Sequence, residues 1–239
     1  MKQYNKIEVF DEMNIDIVAR LPQESTRQYV YRILKNNIMN LIIIPGTALS
    51  EQEIANRLSI SRTPVREAFM HLAQEHLLDI LPQKATYVSL IDLRNMEEAK
   101  FMREHLEKAV IKLACISFPD EKLFELQSNI SLQELCIREN KSQKFFEFDG
   151  LFHGTIFSGC KKDRIWTMIQ QISTHYNRVR MLEAAQGYDL PSLLQQHKDL
   201  LRAILEKDVE LGEGTIDIHL NKVYVDVEQL KKKFSNFFK

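Results

Sequence analysis

Turn-forming residues are scarce in this sequence, with 7 Gly and 6 Pro among 239 residues. A sandwich or barrel needs many tight turns, so the shortage argues for long helices. Cysteine is scarcer still. Cys115, Cys136 and Cys160 are widely spaced and odd in number, which excludes a disulfide framework and a CxxC metal knuckle. They are expected to be reduced, mostly buried thiols. Long apolar runs are lacking as well. The longest aliphatic run, residues 41–44, cannot span a bilayer, and residues 1–12 mix Lys with Asp and Glu around no apolar segment. No signal peptide, no membrane partner and a cytoplasmic location are expected. Nor is there an excess of one charge. The formal net charge is -1, which gives no global support to nucleic-acid binding.

What is present is an ordinary core-forming composition, 44% hydrophobic and 27% charged, predicting a mainly α protein. Charge is organised locally. Between Arg20 and Met70, seven positive residues face four negative ones, 7 - 4 = +3. From Ser25, the apolar positions Val30, Ile33, Leu34, Ile38 and Leu41 repeat at helical spacing up to the Pro45-Gly46 stop. Ser50 and Glu53 have the spacing of a capping box, opening a short helix that buries Ile54, Ala55 and Leu58. A third helix is expected from about Ser61 to residue 76, with Pro64 in its first turn. It buries Val65, Ala68, Phe69 and Leu72. Two β-patterned runs, 77–81 and 86–90, follow as a hairpin around Pro82-Gln83-Lys84-Ala85.

From Asp92 the helical pattern returns, predicting six helices at about 92–116, 120–139, 142–158, 163–185, 191–206 and 209–234. Asp120, Ser142, Asp163 and Asp208 are their candidate N-caps. The expected organisation is an N-terminal extension over 1–22, loosely ordered unless it docks. A winged helix-turn-helix follows over 23–90 and an all-helical bundle over 91–239.

A short helix, a tight turn and a second helix with arginines at i, i+4 on its exposed start is the geometry that lays side chains in the major groove of double-stranded DNA. Arginine suits this because its planar fork bonds guanine O6 and N7 together. A capped surface helix with solvated arginines fits the periodicity equally well. The residues decide between them. The run Leu49-Ser50-Glu51-Gln52-Glu53-Ile54-Ala55, then Leu58-Ser59-Ile60-Ser61-Arg62-Thr63-Pro64-Val65-Arg66-Glu67-Ala68, closely resembles the GntR family. The resemblance implies that Arg62 and Arg66 contact bases or phosphates and that Ser61 and Thr63 bond the DNA backbone. The wing lacks the family's usual glycine, having Gln83-Lys84-Ala85, although Lys84 can still reach phosphate.

In the helical region, Asp149 and His153 share one helix face at i, i+4, a spacing suited to a divalent transition metal and equally to a hydrogen-bonded surface pair. The segment Phe101-Met102-Arg103-Glu104-His105-Leu106-Glu107-Lys108-Ala109, then Asp149-x-x-Phe152-His153, His197 and His219-Leu220, is similar to the FadR-type C-terminal ligand-binding (FCD) branch of the same family. That resemblance implies a metal, with Zn, Mn and Ni all suitable, held by Asp149, His153, His197 and His219. It also implies a small carboxylate effector gripped by Arg103. Without it, Arg103 reads as an i, i+4 salt bridge to Glu107 on an exposed face. Arg178 and Arg180 are as ambiguous, and Phe145, Phe146, Phe148, Phe152 and Trp166 read as core.

Gly212 and Gly214 stand where the family has strong helix formers. They predict a frayed or displaced start for the last helix, at a cost of about 2 kcal/mol, and an insecure His219. The expected function is a homodimeric repressor that binds a palindromic operator and answers to a carboxylate. The rivals are a metal-dependent enzyme using the same Asp/His site, and a DNA-binding regulator without metal or effector. Against the enzyme stands the absence of a general base beside the four donors, since Glu147 falls on another helix face.

Overall fold

The computed structural model describes residues 15–186, 189–221 and 227–239. They divide into two units: one runs up to Leu93 and includes Lys231–Lys239, and the other is Arg94–Leu230.

In the first unit, α1 (Thr26–Met39) opens with a capping box. The Ser25 hydroxyl accepts from the Gln28 amide and the Gln28 side chain accepts from the Ser25 amide, so two orphan donors are satisfied together. The helix ends well before Pro45. Leu41 takes a φ of 58°, and the Asn37 carbonyl accepts from the amides of Ile42 and Ile43 at 2.9 and 3.1 Å. The aliphatic run is therefore a loop that turns Ile43 into the core.

Ser50 caps α2 (Glu51–Arg57), but Glu53 does not close a reciprocal box; its carboxylate pairs with Arg57 at 3.2 Å. Ser59, at φ 53°, makes the tight turn into α3 (Arg62–Gln74). The α3 stripe of Val65, Ala68, Phe69 and Leu72 packs with Val30, Leu34 and Ile38 of α1. Each large side chain contributes about 1.5–3 kcal/mol of burial, which fixes how α3 presents its other face.

The expected hairpin forms as β2 (Leu78–Leu81) and β3 (Ala85–Val88), and β1 (Ala48–Leu49) adds a short third strand in the order β1-β3-β2. Leu81 pairs with Ala85 across the turn, where Gln83 takes the positive φ of 60° for which glycine is the usual residue.

Part of the extension is tied down. The buried Asn37 side chain pairs with both backbone polar groups of Asp16 in the arm, accepting from its amide at 2.7 Å and donating to its carbonyl at 2.9 Å. Arg32 pairs with Glu24 at 2.7 Å and reaches the Ala19 carbonyl at 3.0 Å. Residues 1–14 of the extension lie outside the described residues. At the other end of the chain, the Ile91 amide donates to the Phe237 carbonyl at 2.7 Å and the Lys239 amide to the Ile91 carbonyl at 3.0 Å. The last residues thereby join the first unit.

The helical region has eight helices among the described residues rather than six. They are α4 (Leu93–Ile116), α5 (Asp120–Arg138), α6 (Ser142–Gly159), α7 (Asp163–Ile172), α8 (Thr174–Ala185), α9 (Leu190–Glu206), α10 (Val209–Asn221) and α11 (Val227–Lys233). The helix expected over 163–185 breaks at Ser173, whose hydroxyl bonds back to the Ile169 carbonyl at 2.6 Å, a local competitor for the helical ladder. Asp120, Ser142 and Asp163 are first helical residues, with Pro119, Lys141 and Lys162 at the caps. Asp208 does cap, accepting from the Leu211 amide at 2.9 Å.

The start of α10 is not frayed. A Cβ on Gly212 would lie 3.0 Å from the Ile111 side chain, so glycine lets α10 sit close against α4; Gly214 has open space around it. Close packing thus outweighs the helix-propensity cost at this position. No helix among the described residues is long and apolar enough to cross a membrane.

Candidate functional site

The exposed start of α3 gathers four of the residues expected at DNA. Arg62, Thr63 and Arg66 are exposed, and Ser61 occupies the N-cap position with a hydroxyl that makes no capping bond. Arg62 lies 3.2 Å from Glu51 at an exposed edge, an ion pair worth less than about 1 kcal/mol and therefore easily exchanged for another anion. Met70 continues the same exposed face, and Lys84 is exposed in the β2–β3 turn.

The second unit holds a cluster of a different kind. Asp149 and His153 come from α6, His197 from α9 and His219 from α10, and all four side chains are buried. One ligand atom from each lies within 4.8 Å of the others. The three imidazoles are aimed by their outer nitrogens. His153 Nδ1 is 2.9 Å from Glu107 Oε2, His197 Nδ1 is 2.6 Å from Gln133 Oε1, and His219 Nδ1 is 3.1 Å from Gln196 Oε1. Each partner offers an acceptor, so each ring carries its proton on Nδ1 and turns an Nε2 lone pair inward.

His153 Nε2 and His219 Nε2 are 3.1 Å apart, a distance one ring proton can bridge, and His197 Nε2 is 3.3 Å from Asp149 Oδ1; with every ring proton on Nδ1, both contacts set lone pair against lone pair. Buried lone pairs aimed at one another are costly unless a cation stands among them. Three imidazole nitrogens and one carboxylate oxygen form a donor set suited to Zn, Mn or Ni, so the residues fit a divalent metal.

The supports extend into α5. Gln133, fully buried, donates through Nε2 to Asn129 Oδ1 at 2.7 Å, and Asn129 Nδ2 donates to the Phe148 carbonyl at 3.0 Å. This network locks the orientation of His197. Rings wall the site: Phe152 stacks on His197 at 4.6 Å between centroids, and Trp166 lies parallel to His153 at 6.1 Å. Phe145 and Phe152 are core, as the periodicity predicts. Phe146 lies under the Arg180 guanidinium at 4.5 Å, and Phe148 lies near Lys144.

Arg103 does pair with Glu107, at 2.6 Å, but both are buried rather than on an exposed face. The arginine that touches the candidate donors is Arg180, whose fork spans Asp149 Oδ1 at 2.6 Å and Oδ2 at 2.9 Å. His105 is exposed on Phe101, His175 is buried against Arg178, and Glu147 faces outward to Lys144. Sequence reasoning left Arg180 ambiguous and missed Gln133, Asn129 and Gln196. The available signal was a polar side chain recurring at i, i+4 on the apolar face of a predicted helix, as Asn129 and Gln133 do.

Burial alone raises a carboxyl group's pKa, yet the Arg180 guanidinium, with His197 and His153, holds Asp149 well below the usual carboxylate range. Burial likewise opposes Glu107, but Arg103 and His153 bring it down to about 2. Burial pushes His197 down, partly offset by Asp149, and pushes His219 well down, with His153 and His197 acting in the same direction. Both rings are thus kept as neutral donors.

Comparison with known proteins agrees with both units. The family described as bacterial regulatory proteins, gntR family, matches residues 26–88, and the FCD domain matches residues 98–222. The HTH-type transcriptional repressor RspR of Escherichia coli K12 is 31% identical over 217 residues, 91% of this chain and 95% of the relative. The gluconate operon transcriptional repressor of Bacillus subtilis is 27% identical over 88% of each chain. Among solved structures, E. coli McbR/YncC superposes with a TM-score of 0.74 at 22% identity, covering 88% of this chain and 99% of that one. These relatives are transcription regulators and not enzymes, which sets the metal-dependent enzyme aside. The chain therefore belongs to the GntR family of bacterial transcription regulators, with a winged helix-turn-helix followed by an FCD domain.

Proposed function

We propose that this regulator is a homodimeric repressor whose second domain holds a divalent transition metal and, on it, a small carboxylate effector. The observation that carries the reading is the convergence of three Nε2 lone pairs and the Asp149 carboxylate, with every Nδ1 tied to an outer acceptor. Asp149, His153, His197 and His219 hold the metal, which supplies open coordination positions for an anionic ligand. Arg103 lies behind the site, in contact with Glu107 and near the Tyr176 ring, where it adds positive potential for the carboxylate.

On the DNA side, Arg62 and Arg66 read bases or phosphates, Ser61 and Thr63 bond the backbone, and Lys84 reaches phosphate from the wing. Two copies present two such helices to a palindrome, and effector binding changes the spacing between them. Support for self-association comes from α4, where Phe101, His105, Ala109, Leu113 and Ile116 form an exposed stripe at helical spacing. Such an apolar stripe suits a partner helix.

The test is metal content by mass spectrometry of purified and Zn²⁺-reconstituted protein, beside folded Asp149→Ala and His197→Ala variants. Stoichiometric metal in wild type and its loss in both variants supports the reading. Wild type that stays metal-free after reconstitution refutes the metal site and leaves the DNA-binding assignment untouched.

A further inference from the structure

Apart from the buried histidines His153, His175, His197 and His219, the charged side chains buried among the described residues of the second unit are balanced. They are three cations, Arg103, Arg178 and Arg180, and three anions, Glu107, Asp149 and Glu183. Two of these cations belong to the site itself. The Arg180 guanidinium closes on both Asp149 oxygens, and Arg103 closes on Glu107, whose other oxygen faces His153. The Cζ atoms of Arg103 and Arg180 lie 5.1 and 6.0 Å from the centroid of one ring, Tyr176.

Two consequences follow for a divalent cation at Asp149, His153, His197 and His219. Its two charges are added to a set already balanced, and an uncompensated buried charge is strongly unfavourable. Asp149 is also the one anion among the four donors, and both its oxygens already accept from Arg180. An oxygen shared with or ceded to the metal leaves guanidinium N–H groups beside the cation, and an arginine fork is matched to a second carboxylate.

Resting on the metal reading above, we infer that Arg180 and the metal together form the receptor for a dianion. The effector class is a small ligand with two negative charges, such as a short dicarboxylate, one anionic group meeting the metal and the other meeting Arg180. A monocarboxylate leaves half of the added charge uncancelled. Metal and dianion then strengthen each other's binding, and the coupling is reciprocal. Arg180 is in this sense the specificity-determining residue, and Arg103, closed on Glu107, contributes field rather than contact.

The experiment measures Zn²⁺ affinity of the full chain by competition with a chromophoric chelator, in malonate, in acetate and in neither. Ionic strength is matched, and protein-free controls correct for Zn²⁺ complexed by each anion. Wild type is expected to bind Zn²⁺ about tenfold or more tightly in malonate than in acetate. The Arg180→Gln variant is expected to lose that preference, read as the ratio of its own Zn²⁺ affinities in malonate and in acetate. Damage to the fold alone lowers both affinities.

If Arg180→Gln does not fold, Arg180→Lys keeps the charge without the two-pronged fit and is expected to retain only part of the malonate preference. The wild-type comparison of malonate with acetate decides the matter without any variant. Zn²⁺ binding of equal strength in both anions overturns this inference alone; no Zn²⁺ binding in any buffer overturns the metal reading and this inference with it.

Discussion

Replacing Gln133 by Leu tests whether the second layer of the cluster acts as argued. The side chain is fully buried, accepts from His197 Nδ1 at 2.6 Å and donates to Asn129 at 2.7 Å, and leucine fills comparable volume without either bond. Loss of such an outer partner typically weakens metal binding about 10–100-fold, or about 1.4–2.7 kcal/mol, because the imidazole is no longer held in one tautomer and orientation. The metal-free protein should also lose stability, since the His197 N–H and the Asn129 carbonyl oxygen become buried and unpaired at about 1–3 kcal/mol each. Chelator competition measures the first quantity and urea unfolding of the metal-free chain the second. If Gln133→Leu binds Zn²⁺ within about twofold of wild type while His197→Ala does not bind it, the orienting role is wrong, whatever the stability change.

Other consequences can be checked with comparable economy. His197 and His219 have folded-state pKa values lowered by burial, so the unfolded chain takes up protons there that the native chain refuses. Stability of the metal-free protein is therefore complete above about pH 6.5 and falls below it, by up to about 1.4 kcal/mol per pH unit for each ring; unfolding free energy that stays level from pH 7 to 5.5 contradicts this. On an operator selected from random sequence, Arg66→Ala should lower affinity by about 1–3 kcal/mol with relaxed base preference, whereas Lys84→Ala should weaken all sequences alike and reduce the salt slope by about one. Phe101→Glu places a charge in the exposed α4 stripe, where Phe101 is 66% exposed, and should convert a dimer to monomer in sedimentation analysis without changing the circular dichroism.

The parts of the fold legible in the sequence were those set by periodicity. The α3 stripe of Val65, Ala68, Phe69 and Leu72 is buried as the spacing predicts. What escaped was decided by single hydrogen bonds or close approaches. Leu41 at positive φ ends α1 with no glycine or proline at that position. Ser173 breaks a helix by bonding back to Ile169, and β1 is too short to have a period. Gly212 reads as a weak point by propensity, and only the nearness of Ile111 gives it a packing role.

The four clustered donors came from a family resemblance and i, i+4 spacing. Their supports did not, because Gln133 and Gln196 meet His197 and His219 only after three helices pack. Arg180 shows the limit clearly: nothing local distinguishes it from Arg178, and only the fold brings it to Asp149.

The central claim is that Asp149, His153, His197 and His219 bind one metal ion. X-ray absorption of the Zn²⁺-loaded protein tests it most directly, because imidazole rings give characteristic outer-shell scattering beyond N or O neighbours at about 2.0–2.2 Å. The account predicts a signal fitted by three imidazoles and additional oxygen, falling to two imidazoles in His219→Ala. A spectrum with sulfur neighbours, or with imidazole scattering unchanged in His219→Ala, would contradict it.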